Sequence, residues 1–215
     1  MVKLNHLFVP ATLDDIVGQP IERLKQSMKY PRQSAWMLVG PPGTGKTITT
    51  RIVANMIGCT DEWHGLHHVP CTSFGIDQAK QLFHELRLRS LSGKHLLILE
   101  ECEWLSAQVQ RFLKDALDPA TNMPDSLIVF GTSNGIDGLD EALVDRFNVI
   151  EFSANEQFAA SCHEKIRSIW MRLMNEEPPA EYKRWGYGDS GNFSMRRAIK
   201  HAESALQAAM TTPVR

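Results

Sequence analysis

Apolar runs alternate with segments of helical periodicity along the first two thirds of the chain. Three short runs are almost continuously apolar: residues 34–39 (SAWMLV), 96–99 (LLIL) and 126–134 (SLIVFGTSN). Three segments repeat apolar residues at helical spacing: 48–58, 76–91 and 106–117. Apolar strands that alternate with helices are typical of a parallel sheet covered on both faces. The pattern therefore predicts an α/β fold for this part of the chain.

The pattern changes after Phe152. A last short strand is predicted at 148–152 (NVIEF), and beyond it only helical periodicity appears, at about 155–175 and 192–210. The stretch between these helices, NEEPPAEYKRWGYGDSGN, is rich in proline and glycine, which break regular structure. We therefore predict two domains, an α/β domain over 1–152 and a small all-α domain over 153–215.

Composition narrows the class of protein only slightly. The chain has 215 residues, of which 43% are apolar and 22% charged, with a formal net charge of -2. These values exclude a disordered or fibrous chain, and any nucleic-acid contact would need a local basic face. The sequence shows no signal-peptide pattern and no apolar window of about 18 residues, so we expect a cytoplasmic protein that does not enter a membrane.

The cysteines are widely spaced and form no CxxC pair, which favours reduced thiols: Cys59, Cys71, Cys102 and Cys162. The segment 59–71 also concentrates residue types that bind zinc: Cys59, His64, His67, His68 and Cys71. Their spacing fits no standard zinc finger, and a solvated loop that holds several histidines is the favoured interpretation. Zinc at Cys59, His64, His67 and Cys71 stays the alternative.

The segment GPPGTGKT, Gly40–Thr47, matches the phosphate-binding pattern G-x-x-x-x-G-K-[ST] between a strand and a helix. Its glycines let the loop wrap so that backbone N–H groups point at phosphate oxygens. Lys46 would reach the β and γ phosphates, and Thr47 would bind magnesium. A glycine-rich turn with a chance Lys-Thr pair is the alternative, which the flanking elements disfavour. The predicted ATP contacts are Pro41, Pro42, Gly43, Thr44, Gly45, Lys46, Thr47 and Ile48.

An acidic pair follows the second apolar run, in LLILEECEW. Glu100 and Glu101, with Glu103 as a third acid, are costly to bury without cationic partners. In phosphate-loop folds we expect this strand to lie beside the strand that precedes the loop. Glu100 would then face magnesium, and Glu101 would polarise the water that attacks the γ phosphate. A solvated acidic strand end is the alternative.

These motifs resemble those of the AAA+ ATPases, and among them the clamp-loader small subunits of the replication factor C type. FVPATLDDIVGQ, residues 8–19, is similar to the segment that opens this family's ATPase domain, which implies that Ile16, Val17 and Gly18 lie at the adenine base. LLILEECEWLSAQVQ is similar to the family's acidic segment. FGTSN ends in Asn134, which the resemblance implies is the sensor-1 asparagine that orients the attacking water.

Two arginines complete the resemblance. LDEALVDRFNVIEF is similar to the family's Ser-Arg-Cys segment and implies that Arg146 is an arginine finger acting on the neighbouring subunit's nucleotide. GNFSMRRAIKHAESAL resembles the lid-helix motif and implies that Arg196 is the sensor-2 arginine. The implied fold is an AAA+ P-loop NTPase core with a parallel sheet between helices, followed by a small all-α lid.

The implied activity is magnesium-dependent hydrolysis of ATP by one subunit of a clamp loader, which loads a sliding clamp onto primer-template DNA with other AAA+ subunits. The sequence departs from the family at Glu100, where Asp is usual, and at Asp145 and Phe147, which replace the Ser and Cys beside the finger arginine. It also ends soon after the lid motif, whereas clamp-loader subunits continue into a helical collar. Either the chain is truncated or its assembly is arranged differently.

Two other functions stay open. In a branch-migration or protein-remodelling motor, Phe74 of SFG would be an aromatic pore-loop residue. In a nucleotide-gated adaptor with weak hydrolysis, the replacement of the usual Asp by Glu100 would be the departure from the family that indicates this function. The clamp-loader hypothesis suggests DNA contacts at Thr72, Ser73 and Lys80, whereas the alternative is a helix cap at Ser73 or Asp77 beside a solvated lysine.

Overall fold

The computed structural model describes residues 8–88, 90–188 and 191–211. The chain divides into two compact units. The larger unit comprises Pro20–Gly40 and Lys46–Phe152, and the smaller one comprises the chain up to Gln19, Pro41–Gly45 and the chain from Ser153 onward. The domain boundary predicted near Ser153 stays a prediction, since each unit takes in more than one stretch of chain.

The larger unit is built on five parallel strands in the order β2-β3-β4-β1-β5, which confirms the predicted α/β core. The strands are β1 (Ser34–Val39), β2 (Leu66–Pro70), β3 (His95–Glu100), β4 (Leu127–Ser133) and β5 (Asn148–Glu151). Its helices are α1 (Glu22–Met28), α2 (Lys46–Ile57), α3 (Ile76–Glu85), α4 (Ala107–Ala116) and α5 (Glu141–Val144). Helices α3, α4 and α5 bury apolar residues with the sheet in a core that includes Met37, Leu97, Val129 and Leu113.

The expected adjacency of the acidic strand and the loop strand is wrong. β4 lies between β3 and β1 and pairs with both, with Leu99 opposite Gly131 and Val39 opposite Ser133. All seven residues of β4 are buried. A strand so enclosed must pair its backbone groups along both edges, which places it at the centre of the sheet.

The smaller unit contains two long helices, α6 (Glu156–Met174) and α7 (Met195–Thr211), close to the predicted segments. Asn155 caps α6 by accepting a hydrogen bond from the Phe158 N–H at 2.8 Å. The helices pack around Ile166, Trp170 and Ala202, which are almost completely buried. Within the described residues, no helix combines the length and the apolar character needed to cross a bilayer.

Two elements of the larger unit differ from the sequence expectation. The helix predicted to run to Leu91 ends at Glu85, and the N–H groups of Arg87 and Leu88 bond to carbonyls three residues back in tight turns. Leu88 and Leu91 are 62% and 76% exposed, so neither leucine buries apolar surface that would stabilise a longer helix. The segment assigned to a solvated loop contains the edge strand β2.

Candidate functional site

The glycine loop connects β1 to α2 and needs backbone conformations that other residues rarely adopt. Gly40, Gly43 and Gly45 have φ values of 148°, 81° and 107°. A Cβ on Gly43 would lie 2.1 Å from the Oγ of Ser194, just before α7, and the Met195 N–H donates to the Gly43 carbonyl at 3.1 Å. The loop backbone is therefore closely packed at Gly40 and Gly43, where a side chain has no room.

Lys46, the first residue of α2, is only 9% exposed. Its Nζ donates to the carbonyl of Gly40 and, at 3.3 Å, to Oδ1 of Asn134, which directly follows β4. A buried ammonium requires such acceptors. Thr47 is half-buried in the first turn of the same helix, where the helix dipole favours an anion. The described residues thus bring Lys46, Thr47 and Asn134 to the carboxyl end of the sheet.

The acidic pair stands at the carboxyl end of β3. Glu100 ends the strand, and its Oε2 lies 3.1 Å from Nε2 of His68 on β2, a contact that the sequence did not indicate. Glu101 has left-handed backbone angles (φ 60°, ψ 55°), and its N–H donates to Oγ1 of Thr132 at 3.3 Å. This conformation is disfavoured by about 1–2 kcal/mol for a residue with a Cβ. Such outliers cluster at functional sites, and the Glu101 side chain is exposed.

Glu103 is the site residue whose role the sequence did not reveal. Its Oε1 accepts hydrogen bonds from the backbone N–H of Asn134 at 3.2 Å and from Asn134 Nδ2 at 2.7 Å. Its Oε2 accepts one from the Ser133 hydroxyl at 2.8 Å. The only signal in the sequence was a third acid shortly after the pair. A carboxylate in the turn after β3 thus binds the end of β4.

Arg146, the predicted finger, lies in the turn between α5 and β5. Its Nε donates to the Lys114 carbonyl at 3.3 Å, and an Nη atom lies 3.2 Å from Oδ2 of Asp118. Both partners lie at or just beyond the end of α4, where a cation complements the helix dipole. The side chain is 36% exposed. Its action on a neighbouring subunit stays a prediction.

The predicted adenine segment lies in the smaller unit. Ile16 is buried, Val17 packs against the apolar core of this unit, and a Cβ on Gly18 would lie 3.1 Å from Cα of Phe158. The next residue, Gln19, is also buried, and its amide bonds to the backbone N–H and carbonyl of Ser153 at 3.0 and 2.9 Å.

Asp15 anchors the same segment by an ion pair with Lys165 of α6, at 3.0 Å. The hydrogen bond from Lys165 is the main reason that the pKa of Asp15 falls to about 2, helped by N–H groups of Thr12 and Ala11.

The two lid arginines have different surroundings. Arg196, the predicted sensor-2 residue, is exposed in the first turn of α7. Arg197 donates from Nε to the Gly186 carbonyl at 3.1 Å and from a terminal nitrogen to the Asn192 carbonyl, and so braces the turn before the helix. Arg197 therefore has a structural task, while the ligand contact of Arg196 stays a prediction.

The histidine-rich segment is dispersed in the structure. His67 bonds to His95 at 3.1 Å, and His64 bonds to Asp61 at 2.8 Å. Cys59 lies 3.6 Å from the Ser92 hydroxyl. Among the residues that the structure describes, no group of three potential ligands is placed to hold a metal ion.

The hydrogen bond to Cys71 is the main cause that raises the pKa of the buried Cys102 thiol.

The suggested DNA and pore-loop residues lie after β2. Thr72, Ser73 and Lys80 are exposed, whereas Phe74 is half-buried and packs on the core. Phe74 also lines a groove of about 330 Å³ between β2 and α3. The cap alternative is wrong in detail, because α3 is capped at Gly75, whose N–H donates to the Gln78 side chain at 2.8 Å.

Comparison with known proteins gives the chain a family context. Residues 36–154 match the sequence profile of the ATPase family associated with various cellular activities (AAA). The chain is 30% identical over 115 residues to the replication factor C small subunit of Saccharolobus solfataricus, which covers 51% of this chain and 35% of that protein. It is 31% identical over 118 residues to the Holliday junction branch migration complex subunit RuvB of Rubrobacter xylanophilus, covering 51% of this chain and 30% of the relative. The matched region thus spans about a third of these relatives.

Solved structures show the same fold. The RuvB Holliday junction branch migration motor of Thermotoga maritima superposes with a TM-score of 0.68 at 19% identity, over 95% of this chain and 68% of that one. A DNA polymerase III gamma subunit-related protein of Thermotoga maritima gives a TM-score of 0.56 at 14% identity, over 87% of this chain and 57% of that one.

Proposed function

Because the chain belongs to the AAA family of ATPases, we propose that it binds ATP with magnesium at the glycine loop and hydrolyses it. The observation that carries the proposal is the position of Lys46. This buried ammonium lies at the start of α2, bonded to the loop carbonyl of Gly40 and to Asn134 at the end of β4. An ammonium at a helix N-terminus beside a glycine loop is suited to bind phosphate.

The residues present fit magnesium-bound ATP. The loop glycines have no Cβ, so their backbone N–H groups could approach phosphate oxygens closely. Thr47 and Glu100 offer a hydroxyl and a carboxylate, the oxygen ligands that magnesium prefers. When bound, magnesium supplies charge neutralisation at the phosphate oxygens. Ile16, Val17 and Gly18 would hold the base, and Arg196 would contact the nucleotide from the lid.

The catalytic step is assigned to the ends of β3 and β4. Glu101 is exposed at a strained strand end and would accept a proton from the attacking water. Asn134 would hold that water, and Lys46 would balance the charge that develops on the phosphate. Arg146 from an adjoining subunit would add a second cation.

A Glu101→Gln substitution tests this assignment. The variant keeps the size of the side chain but cannot take the proton, so turnover should fall by about 10²–10⁴-fold while ATP affinity stays within a few-fold. Phosphate release and ATP titration are measured on the same preparations. Unchanged turnover would remove Glu101 from the mechanism.

For the biological role, we propose a clamp-loader-type subunit that works with other AAA+ subunits, a sliding clamp and primer-template DNA. The replication factor C relative and the Met-Arg-Arg lid motif support it. A branch-migration motor is the second candidate, because a RuvB protein is equally similar over the same length of chain. ATP hydrolysis stimulated by primed DNA and a clamp supports the first role, and stimulation by four-way junction DNA supports the second.

A further inference from the structure

Glu103 makes more contacts with the end of β4 than does either member of the acidic pair. Three donors converge on its carboxylate: the backbone N–H of Asn134, the Nδ2 of Asn134 and the hydroxyl of Ser133. Two of the three come from Asn134. The bond from Ser133 is partly buried, and the two bonds from Asn134 are exposed, but all three go to a carboxylate, which strengthens them. The contact therefore fixes the position of Asn134.

The chemistry of the two neighbours also fixes which way the Asn134 amide points. A carboxylate only accepts hydrogen bonds and an ammonium only donates them. Nδ2 of Asn134 lies 2.7 Å from Glu103, and its Oδ1 lies 3.3 Å from Nζ of Lys46. Rotating the amide by 180° would set oxygen against carboxylate and NH₂ against ammonium. Glu103 and Lys46 therefore hold the amide oxygen on the side of Lys46.

We propose that Glu103 is a positioning residue for ATP hydrolysis, which acts through Asn134 and touches neither nucleotide nor water. This inference rests on the proposed function. An attacking water needs acceptors for its hydrogens so that its lone pair can face the phosphorus. Glu101 provides one acceptor, and the amide oxygen of Asn134, which Glu103 holds on the side of Lys46, provides the other.

The primary test is Glu103→Gln. Glutamine keeps the shape but brings an NH₂ group of its own, so the partner of Asn134 Nδ2 no longer selects one amide orientation, and only the weaker 3.3 Å contact with Lys46 still does. We expect kcat to fall about ten- to hundred-fold while KM for ATP changes by less than about threefold. Asp137→Asn, a loss of one exposed acid in the loop after Asn134, should leave both values unchanged.

A double-mutant cycle separates positioning from a general structural role. If Glu103 acts through Asn134, Glu103→Gln should lower kcat by less than about twofold in an Asn134→Ala background. A full loss in both backgrounds would show that Glu103 acts by another route and would overturn the inference. Wild-type kcat in the Glu103→Gln single variant would also overturn it.

A readout without nucleotide keeps failure of this inference distinct from failure of the proposed function. In ¹⁵N-labelled protein, the side-chain NH₂ resonances of Asn134 should shift on Glu103→Gln and stay in place on Asp137→Asn. If the wild type does not hydrolyse ATP, the proposed function fails, and the resonance still tests the hydrogen bond. Resonances that do not move in Glu103→Gln would show that Glu103 does not hold Asn134.

Discussion

Gly40 is the residue at which a single methyl group should harm both the fold and the site. A Cβ there would lie 2.0 Å from the carbonyl oxygen of Phe152 and 2.9 Å from its carbonyl carbon. Backbone atoms cannot rotate away as a side chain can. Relief would require the chain after β5 to move away from β1, where the Phe152 N–H donates to the Val39 carbonyl at 2.6 Å.

The size of the effect follows from these contacts. A φ of 148° in a residue with a Cβ is disfavoured by about 1–3 kcal/mol. Losing the hydrogen bond from Phe152 adds about 0.5–1.5 kcal/mol. Gly58→Ala is the matched control, because Gly58 also has a positive φ, 78°, but has nothing within 4 Å of an added Cβ. The control should show only its backbone strain, about 1 kcal/mol.

Thermal unfolding followed by circular dichroism measures the difference. For a chain of this size, 1 kcal/mol corresponds to about 2–4 °C in Tm. We expect Gly58→Ala to lower Tm by about that amount and Gly40→Ala to lower it further, by about 3–18 °C. Gly40→Ala should also weaken ATP binding, because the Gly40 carbonyl accepts from Lys46. Equal shifts in the two variants would refute the argument that the approach of Phe152 requires glycine.

Three further experiments test separate parts of the account. Glu100→Asp should preserve or raise phosphate release, since aspartate is the usual family residue, and a loss would mean that the metal site has been rebuilt around glutamate. Arg146→Ala should lower turnover with little change in ATP affinity. Asp118→Asn, which removes only the ion-pair partner of Arg146, should keep turnover. Equal rates in the wild type and both variants would exclude a finger role. Asp15 has a pKa near 2, below its ordinary value, so the ion pair stabilises the fold above about pH 4 and less as pH falls towards 2. Asp15→Asn should therefore lower the free energy of unfolding at pH 7 by less than about 1 kcal/mol, because the pair is partly exposed, and so lower Tm by less than about 4 °C. A difference in Tm between wild type and variant that does not shrink at pH 2 would contradict this.

The strands and the glycine loop could be predicted because their signals are local. β1, β3 and β4 are almost continuously apolar, and the loop pattern stands between a strand and a helix. The order of the strands is a tertiary property, and the expected pairing of β3 with β1 was wrong because the more completely buried β4 takes the central position. The position of the site at the carboxyl end of the sheet could be anticipated. That β4 lies between the acidic strand β3 and the loop strand β1 could not.

The features that the sequence missed depend on contacts between distant residues. β2 is an edge strand with two histidines and a proline, so it lacks both a continuous apolar run and a clear alternation. The end of α3 depends on whether Leu88 and Leu91 find a core, and neither does. Glu103 meets Asn134 across 31 positions of sequence, which no local pattern encodes.

ATP binding by Lys46→Met, measured by titration calorimetry in magnesium buffer, tests the central claim most directly. Methionine keeps the buried stem packed but removes the ammonium at the loop. We expect the wild type to bind ATP and the variant to lose affinity at least about 100-fold, with an unchanged circular dichroism spectrum. A folded variant that binds ATP as tightly as the wild type would contradict the assignment of this loop as the nucleotide site.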